Sequence, residues 1–341
     1  MSLSENFTTE MLSPDSYGIK RAVEHLRNDM LVAFPTETVF GLGGNACSDD
    51  AVARIFAAKN RPEINPLIIH VTSMTEAENF VEIPPKAMNL IKVCWPGPLT
   101  LVLPKKKKNT RLSRIANCNS DSVAVRVPAH PVARALIQEL GSPVAAPSAN
   151  ISGKLSSTRS TDVHKQMNGR IASIIDAPQC SIGMESTIVS FFCEIPTLLR
   201  PGGIPVETLE FALGESIKSN HDITINEKSL PSPGLMTSHY APNSTLRLNA
   251  SYPNKDELYL GFGDMPPGCR GLCLSADKSL EEASANFFST LNDLDNMAYN
   301  IGSNKIAVAS IPNSGLGLAI NDRLKRAAAP RAHADPPNVT K

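Results

Sequence analysis

No C-x-x-C pair occurs among the seven cysteines, at positions 47, 94, 118, 180, 193, 269 and 273, and their number is odd. A zinc ribbon and a disulfide framework are therefore poor readings, and reduced thiols in a cytosol-like compartment are expected. Also lacking is any run near the ~20 apolar residues that span a bilayer. The N-terminal "MSLSENFTTEMLSPDS" has no apolar h-region, so a cytoplasmic protein with no membrane contact is expected. Charge of one sign is not in excess: Lys+Arg and Asp+Glu each number 33, which leaves no whole-molecule argument for nucleic-acid or membrane affinity. Any anion affinity must be local. No Walker A sequence is present, and "GLGG" at 41–44 lacks the spacing of a dinucleotide fingerprint. Internal repeats and low-complexity tracts are missing too.

What is present is a globular composition, 42% hydrophobic and 19% charged over 341 residues, whose length favours two domains. "YGIKRAVEHLRND" has helical spacing at Ile19, Val23 and Leu26, and Met30 to Phe34 make a short buried-strand run that Pro35 ends. "SDDAVARIFAAKN" predicts a helix capped from Ser48, Asp49 and Asp50 and stopped by Pro62. "PLIIHV", "LTLVLP", "SVAVRVP", "SPVAAPSA", "IASIID" and "STIVSF" read as strands, with the helical "PVARALIQEL" among them. The fold class expected is α/β (α+β), with one twisted mixed sheet. Residues 218–245 have little periodicity and many Pro, Ser and Asn, as a linker should. Beyond them "ELYLGFG", "GLCLS" and "KIAVASIP" read as strands and "LEEASANFFSTLNDLDNM" as a helix, which makes a second, smaller α/β domain. From Ala327 onward the chain lacks a core-forming pattern and is expected to fray.

Polar residues recur where the strand runs of the first domain end: Thr36 and Thr38, Asn65 and His70, Ser122 and Arg126, Ser148 and Asn150, Ser186 and Thr187, and Arg200. Alternation lets Arg126 face one side of a sheet while Val125 and Val127 face the other. A charge so placed needs a partner. Lys59 and Arg61 close a helix, where cations can simply offset the macrodipole. Together with Arg126 and Arg200, and with no obvious carboxylate among them, they instead suit a polyanion such as a nucleoside triphosphate. Taken alone, His70 is more commonly a satisfied core histidine than a ligand. Ser148-Ala149-Asn150 alone is an ordinary strand-to-loop turn, and His239 and Tyr240 could anchor the linker by packing. "KKKKN" at 105–109 reads as a solvated hairpin tip that could also meet RNA phosphates. Cys269 and Cys273 read as structural.

Seven ordered blocks, "PTETVFGLG", "KNRPEINPL", "WPGPLTLVL", "VAVRVP", "APSANISG", "GMESTIV" and "LLRPGGI", resemble the YrdC-like domain of threonylcarbamoyl-AMP synthases. "SPGLMTSHYAP" resembles the interdomain linker, and "LGLAINDRLKRAA" the closing helix, of the longer, two-domain members. The resemblance implies a YrdC-like catalytic domain over 1–215, a linker or lid over 216–245, a small α/β domain over 246–330 and a flexible tail over 331–341. It implies condensation of L-threonine with bicarbonate or CO2, and adenylation of the carbamate by ATP with release of pyrophosphate, for modification of the adenosine beside the tRNA anticodon. Lys59 and Arg61 are then the catalytic cations. Arg61, Asn65, Ser122, Asn150, Thr158 and Arg200, with His239 and Tyr240 from the lid, form the ATP set. Thr38, His70, Arg126, Ser148 and Ser186 form the threonine set. Mg2+ is expected with the triphosphate and not in a protein cage, and a downstream tRNA threonylcarbamoyl transferase is the implied partner.

Two departures stand out. Phe40 replaces a usual Tyr, keeping the ring and losing a hydroxyl, and Ala177-Pro178 replaces a commonly glycine-rich turn, where a reshaped loop is expected. Two rival readings are a non-catalytic RNA-binding module and carbamoyl transfer to another acceptor.

Overall fold

The structure, a computed structural model, describes residues 8–62, 64–107, 111–193, 195–219 and 239–330. Strand β1 (Glu10–Leu12) and helix α1 (Ser16–Arg27) precede β2 (Val32–Phe34) and β3 (Gly41–Asn45). Next come α2 (Asp49–Lys59), β4 (Ile68–His70), α3 (Met74–Ala77), α4 (Pro85–Cys94), β5 (Leu99–Pro104) and β6 (Ser122–Arg126). The first domain continues with α5 (Pro131–Leu140), β7 (Val144–Ala145), α6 (Ser160–Met167), β8 (Ser173–Ile175), β9 (Thr187–Ser190), β10 (Thr197–Arg200), α7 (Val206–Leu213) and β11 (Lys218–Ser219). These strands form one mixed eleven-stranded sheet, in the order β1-β8-β2-β3-β7-β4-β6-β5-β9-β10-β11. Strands β12 (Thr245–Arg247), β13 (Leu258–Gly261), β14 (Gly271–Cys273) and β15 (Lys305–Val308) make a second sheet, parallel throughout, in the order β12-β15-β13-β14. Helices α8 (Leu280–Asn300) and α9 (Leu316–Ala328) belong to it.

Local chemistry accounts for the element that carries Lys59 and leads into Arg61. Ser48 caps α2 by accepting the Ala51 N–H at 3.2 Å, and Asn60 takes the left-handed conformation that ends it. Strand β3 is the element the sequence conceals, because three of its five residues are glycine, which has low strand propensity. Packing demands them: a Cβ on Gly43 would lie 2.8 Å from Phe34 Cε1 and 3.0 Å from Val144 Cγ1. "SPVAAPSA" is a strand only at Val144–Ala145, with a single bridge from Ser148 to Gly41, since Pro143 and Pro147 have no N–H to give the ladder.

Two further expectations change. The stretch from 218 begins as β11, paired with β10, and ends in residues 239–244 that are packed down. Helix α9 runs to Ala328, and Ala327 is buried in the second core, so the chain stays ordered past Ala327. The loop at Ala177-Pro178 docks on α8 through Gln179 Nε2, which donates to the Ala285 carbonyl at 2.9 Å. Residues 220–238, with most of "SPGLMTSHYAP", the tail 331–341, and Lys108 and Asn109 of the lysine run lie outside the described residues. The two domains share apolar packing: Val39, Leu155 and Met184 join the core of Leu258, Phe287, Phe288 and Ile320. Among the described residues no helix is long and apolar enough to cross a membrane.

Candidate active site

Strands β4 and β6 run parallel with His70 opposite Arg126. Val125 and Val127 enter the main core, so Arg126 emerges on the other face, as alternation requires. Its Nη2 meets Glu37 Oε1 at 2.5 Å, its Nη1 donates to Thr38 Oγ1 at 2.9 Å, and its Nε donates to the Gly97 carbonyl at 3.2 Å. Glu37 Oε2 accepts the Ala129 and His130 N–H groups at 3.1 and 3.3 Å. Burial alone would raise the Glu37 pKa, but Arg126 and these donors outweigh it and hold the carboxyl below its ordinary value. The expectation of cations without a carboxylate is thus corrected at Arg126. His70 lies edge-on to Phe34 at 6.3 Å, and burial first, then Arg126, pushes its pKa down to about 3, so the imidazole is neutral.

Lys59 and Arg61 do not rest on the carbonyls of α2. Lys59 Nζ donates to the carbonyls of Ser148, at 2.6 Å, and Asn150. Arg61 donates from Nε to the Asn65 carbonyl at 2.9 Å and from Nη2 to the Pro66 carbonyl at 2.8 Å. Arg200 donates to the Ser186 carbonyl at 2.8 and 3.2 Å and to its hydroxyl at 3.2 Å. Among the described residues no ion pair joins Lys59, Arg61 or Arg200 to a carboxylate. Neutral carbonyls orient these side chains, Glu185 offsets part of the Arg200 charge, and burial drives Lys59 well below its usual pKa and Arg61 to about 10. A bound polyanion would remove that penalty.

These groups converge on one cleft. Thr38, Lys59, Arg61, His70, Arg126, Ser148, Ser186, Arg200, His239 and Tyr240 line it, and Phe40, whose side chain belongs to the main core, also borders it. Four expected site residues are not on that wall. Asn150 stands behind it, accepting from Ser148 Oγ at 2.5 Å and donating to the carbonyls of Ile151 and Lys154. Asn65 is buried, with its carbonyl supporting Arg61. Ser122 opens β6, four residues before Arg126. Thr158 is buried with its hydroxyl unpartnered among the described residues.

Sequence reasoning passed over Glu37, Glu185 and Arg323. Glu185 lines the cleft, accepting from Ser156 Oγ at 2.6 Å and from Arg323 Nε at 3.0 Å. The signal was available: both glutamates lie inside the quoted blocks, among hydroxyl and apolar residues, where a charge needs a partner as Arg126 does. His239 and Tyr240 close one side. The His239 N–H donates to the Arg326 carbonyl of α9 at 3.4 Å, and the Ala241 N–H to the Gly153 carbonyl at 2.8 Å, so both domains hold this segment. Burial pushes the His239 pKa down to about 3.

A mixed sheet with a half-sheltered cationic cleft at its strand ends, closed by a linking segment that a second parallel α/β domain helps to hold, defines a two-domain α/β protein. Residues 24–202 match the Sua5/YciO/YrdC family, described as "Telomere recombination", and residues 204–329 match "Threonylcarbamoyl-AMP synthase, C-terminal domain". The chain belongs to the Sua5/YciO/YrdC family, in its two-domain form. A Bacillus subtilis (strain 168) protein named threonylcarbamoyl-AMP synthase is 38% identical over 340 residues, covering 95% of this chain and 96% of that one. A Pyrococcus abyssi protein of the same name is 39% identical over 328 residues, covering 92% and 94%. The crystal structure of P. abyssi Sua5 complexed with L-threonine superposes with a TM-score of 0.83 at 37% identity, covering 92% of this chain and 95% of that one. A variant of P. abyssi Sua5 with an adjacent histidine and tyrosine changed to alanine gives the same TM-score at 35% identity, covering 94% and 96%. In this chain the one His-Tyr dipeptide is His239-Tyr240.

Proposed function

We propose that this chain makes threonylcarbamoyl-AMP from L-threonine, bicarbonate or CO2, and ATP, releasing pyrophosphate. One observation carries the reading beyond family membership: three buried cations that form no ion pair with a carboxylate among the described residues face the same cleft as Thr38, Arg126 and Ser186. In this reading the threonine amine adds to CO2 to give a carbamate, whose oxygen attacks the α-phosphorus as pyrophosphate leaves. Arg61 and Arg200 hold phosphates and stabilise the charge that builds on the leaving group. Lys59, fixed by the Ser148 and Asn150 carbonyls, stands between the two halves and serves carbamate or phosphate. Thr38, His70, Arg126, Ser148 and Ser186 take the amino acid, and Asn65, Ser122, Asn150 and Thr158 support the nucleotide. Arg126 offers a substrate carboxylate only the N–H groups that Glu37, Thr38 and Gly97 leave over.

Mg2+ arriving with ATP fits these residues. Glu37 and Glu185, the carboxylates of the cleft region, are engaged by Arg126, Ser156 and Arg323, which leaves the ion to phosphate oxygens and water. Bound there, it would offset charge on the departing pyrophosphate. The class is nucleotidyltransferase, the compartment the cytoplasm, and the consumer of the product a tRNA threonylcarbamoyl transferase. Pyrophosphate release that requires threonine, bicarbonate and ATP together is the test. Threonine-independent release points to carbamoyl transfer to another acceptor, and RNA binding without turnover to a non-catalytic module.

A further inference from the structure

Helix α9 sends one side chain across the domain boundary. Arg323 is completely buried, yet its Nε donates to Glu185 Oε2 at 3.0 Å and its Nη1 to the Pro201 carbonyl at 2.8 Å, both in the first domain. Its Nη1 also meets Asp322 Oδ2 at 2.8 Å, and its Nη2 has no hydrogen-bond partner among the described residues. The guanidinium carbon lies 5.3 Å from the centre of the Tyr240 ring. That ring packs edge-on against His239 at 4.1 Å and tilted against Phe288 at 5.7 Å. Tyr240 itself adopts a left-handed φ of 60°, rare for a bulky residue, so its backbone is held there by the surroundings.

A joint that served only to glue two domains would be made as well by apolar side chains. Burying a guanidinium with an unmet N–H is costly, and replacing such buried pairs by hydrophobic packing is often neutral or stabilising. Both of Arg323's first-rank contacts belong to the cleft wall: Glu185 precedes Ser186, and Tyr240 follows His239. We infer that Arg323 is a positioning residue for the nucleotide half of the cleft, holding the Tyr240 ring and the Glu185 carboxylate in one geometry so that the His239–Tyr240 pair stays closed over the cations. The second domain thereby takes part in adenylation without touching substrate. This rests on the function proposed above, and threonine-dependent pyrophosphate release by the unaltered protein establishes that function independently.

The experiment compares Arg323→Lys with the unaltered protein, since lysine keeps the charge for Glu185 and loses the flat face that stacks on Tyr240. The expected result is a fall of about 30-fold in kcat/KM for ATP, the worth of one desolvated cation–π contact, because a single ammonium held at Glu185 cannot also sit over the Tyr240 ring. The threonine Kd from isothermal titration should change less than about 3-fold. Combining Arg323→Lys with Tyr240→Ala should cost no more than Tyr240→Ala alone, because both act on one unit. Unchanged ATP kinetics, losses that multiply in the double variant, or threonine affinity falling in step with ATP would each overturn the inference. Should Arg323→Lys not fold, Glu185→Gln keeps the shape and removes the charge. It should show the same ATP-selective loss, and ATP kinetics left intact in that variant would also overturn it.

Discussion

Glu37 Oε1 and Arg126 Nη2 lie 2.5 Å apart, both nearly excluded from water. Removing one partner strands the other, and breaking a buried pair costs about 3–5 kcal/mol. Glu37→Gln and Arg126→Ala should therefore each lower the urea midpoint strongly at pH 7, and Arg126→Ala should also weaken threonine binding while ATP affinity is kept. The Glu37 pKa is depressed in the fold, so its contribution is complete above the ordinary glutamate value and is lost as pH falls through the lower folded value. The penalty of Glu37→Gln should accordingly shrink in acid. A penalty that is constant with pH would show that the pair is not ionic.

Arg61→Ala should leave the fold intact and cut pyrophosphate release. A cation offsetting a helix dipole is worth below about 1 kcal/mol, whereas losing a charged partner from a closed site costs about 2–5 kcal/mol. The Arg61 guanidinium is tied to the Asn65 and Pro66 carbonyls and not to the end of α2, which favours the larger figure. Near-normal turnover in a folded Arg61→Ala protein would return the residue to the dipole role.

Arg126 was legible because a charge flanked by valines can be placed on a face from alternation alone, whereas the other cations and hydroxyls were assigned to one site through the resemblance. Strand β3 was not legible, since Gly41, Gly43 and Gly44 carry no propensity signal and only close neighbours explain them, Phe34 against Gly41 and Gly43 and Ile55 and Leu31 against Gly44. Nor was the Glu37–Arg126 pair, whose members are 89 residues apart. Arg323 lies farther still from the cleft blocks, 138 residues beyond Glu185, and nothing in "LGLAINDRLKRAA" says that the first of its two arginines leaves its own domain.

His70 and His239 are buried neutral, each with its pKa pushed down to about 3, chiefly by burial. The unfolded chain binds protons near pH 6.5 and the folded one does not, so stability should drop as pH falls from about 6.5 toward 3 by up to one proton per histidine. His239→Gln should make the dependence of the melting temperature on pH between 7 and 5 shallower. An unchanged slope would mean that His239 already carries its proton in the fold.

Gly183 sets how closely α8 approaches the cleft loop. Its φ is +67°, and a Cβ there would lie 2.4 Å from the Ala285 carbonyl oxygen and 2.5 Å from that of Ser284. Beside it, Ser284 Oγ donates to the Ile182 carbonyl at 2.8 Å, and Met184 is buried in the second domain's core. Gly183→Ala must therefore strain its own backbone, by about 1–2 kcal/mol, and also push helix and loop apart. The same loop carries Glu185 and Ser186, and α8 carries Phe288 beneath Tyr240. The expected outcome is a lower melting temperature together with an ATP KM raised more than the threonine Kd, because the displaced contacts belong to the side of the cleft that the second domain closes. A variant that melts earlier yet keeps the ATP KM would show that domain docking and nucleotide handling are independent.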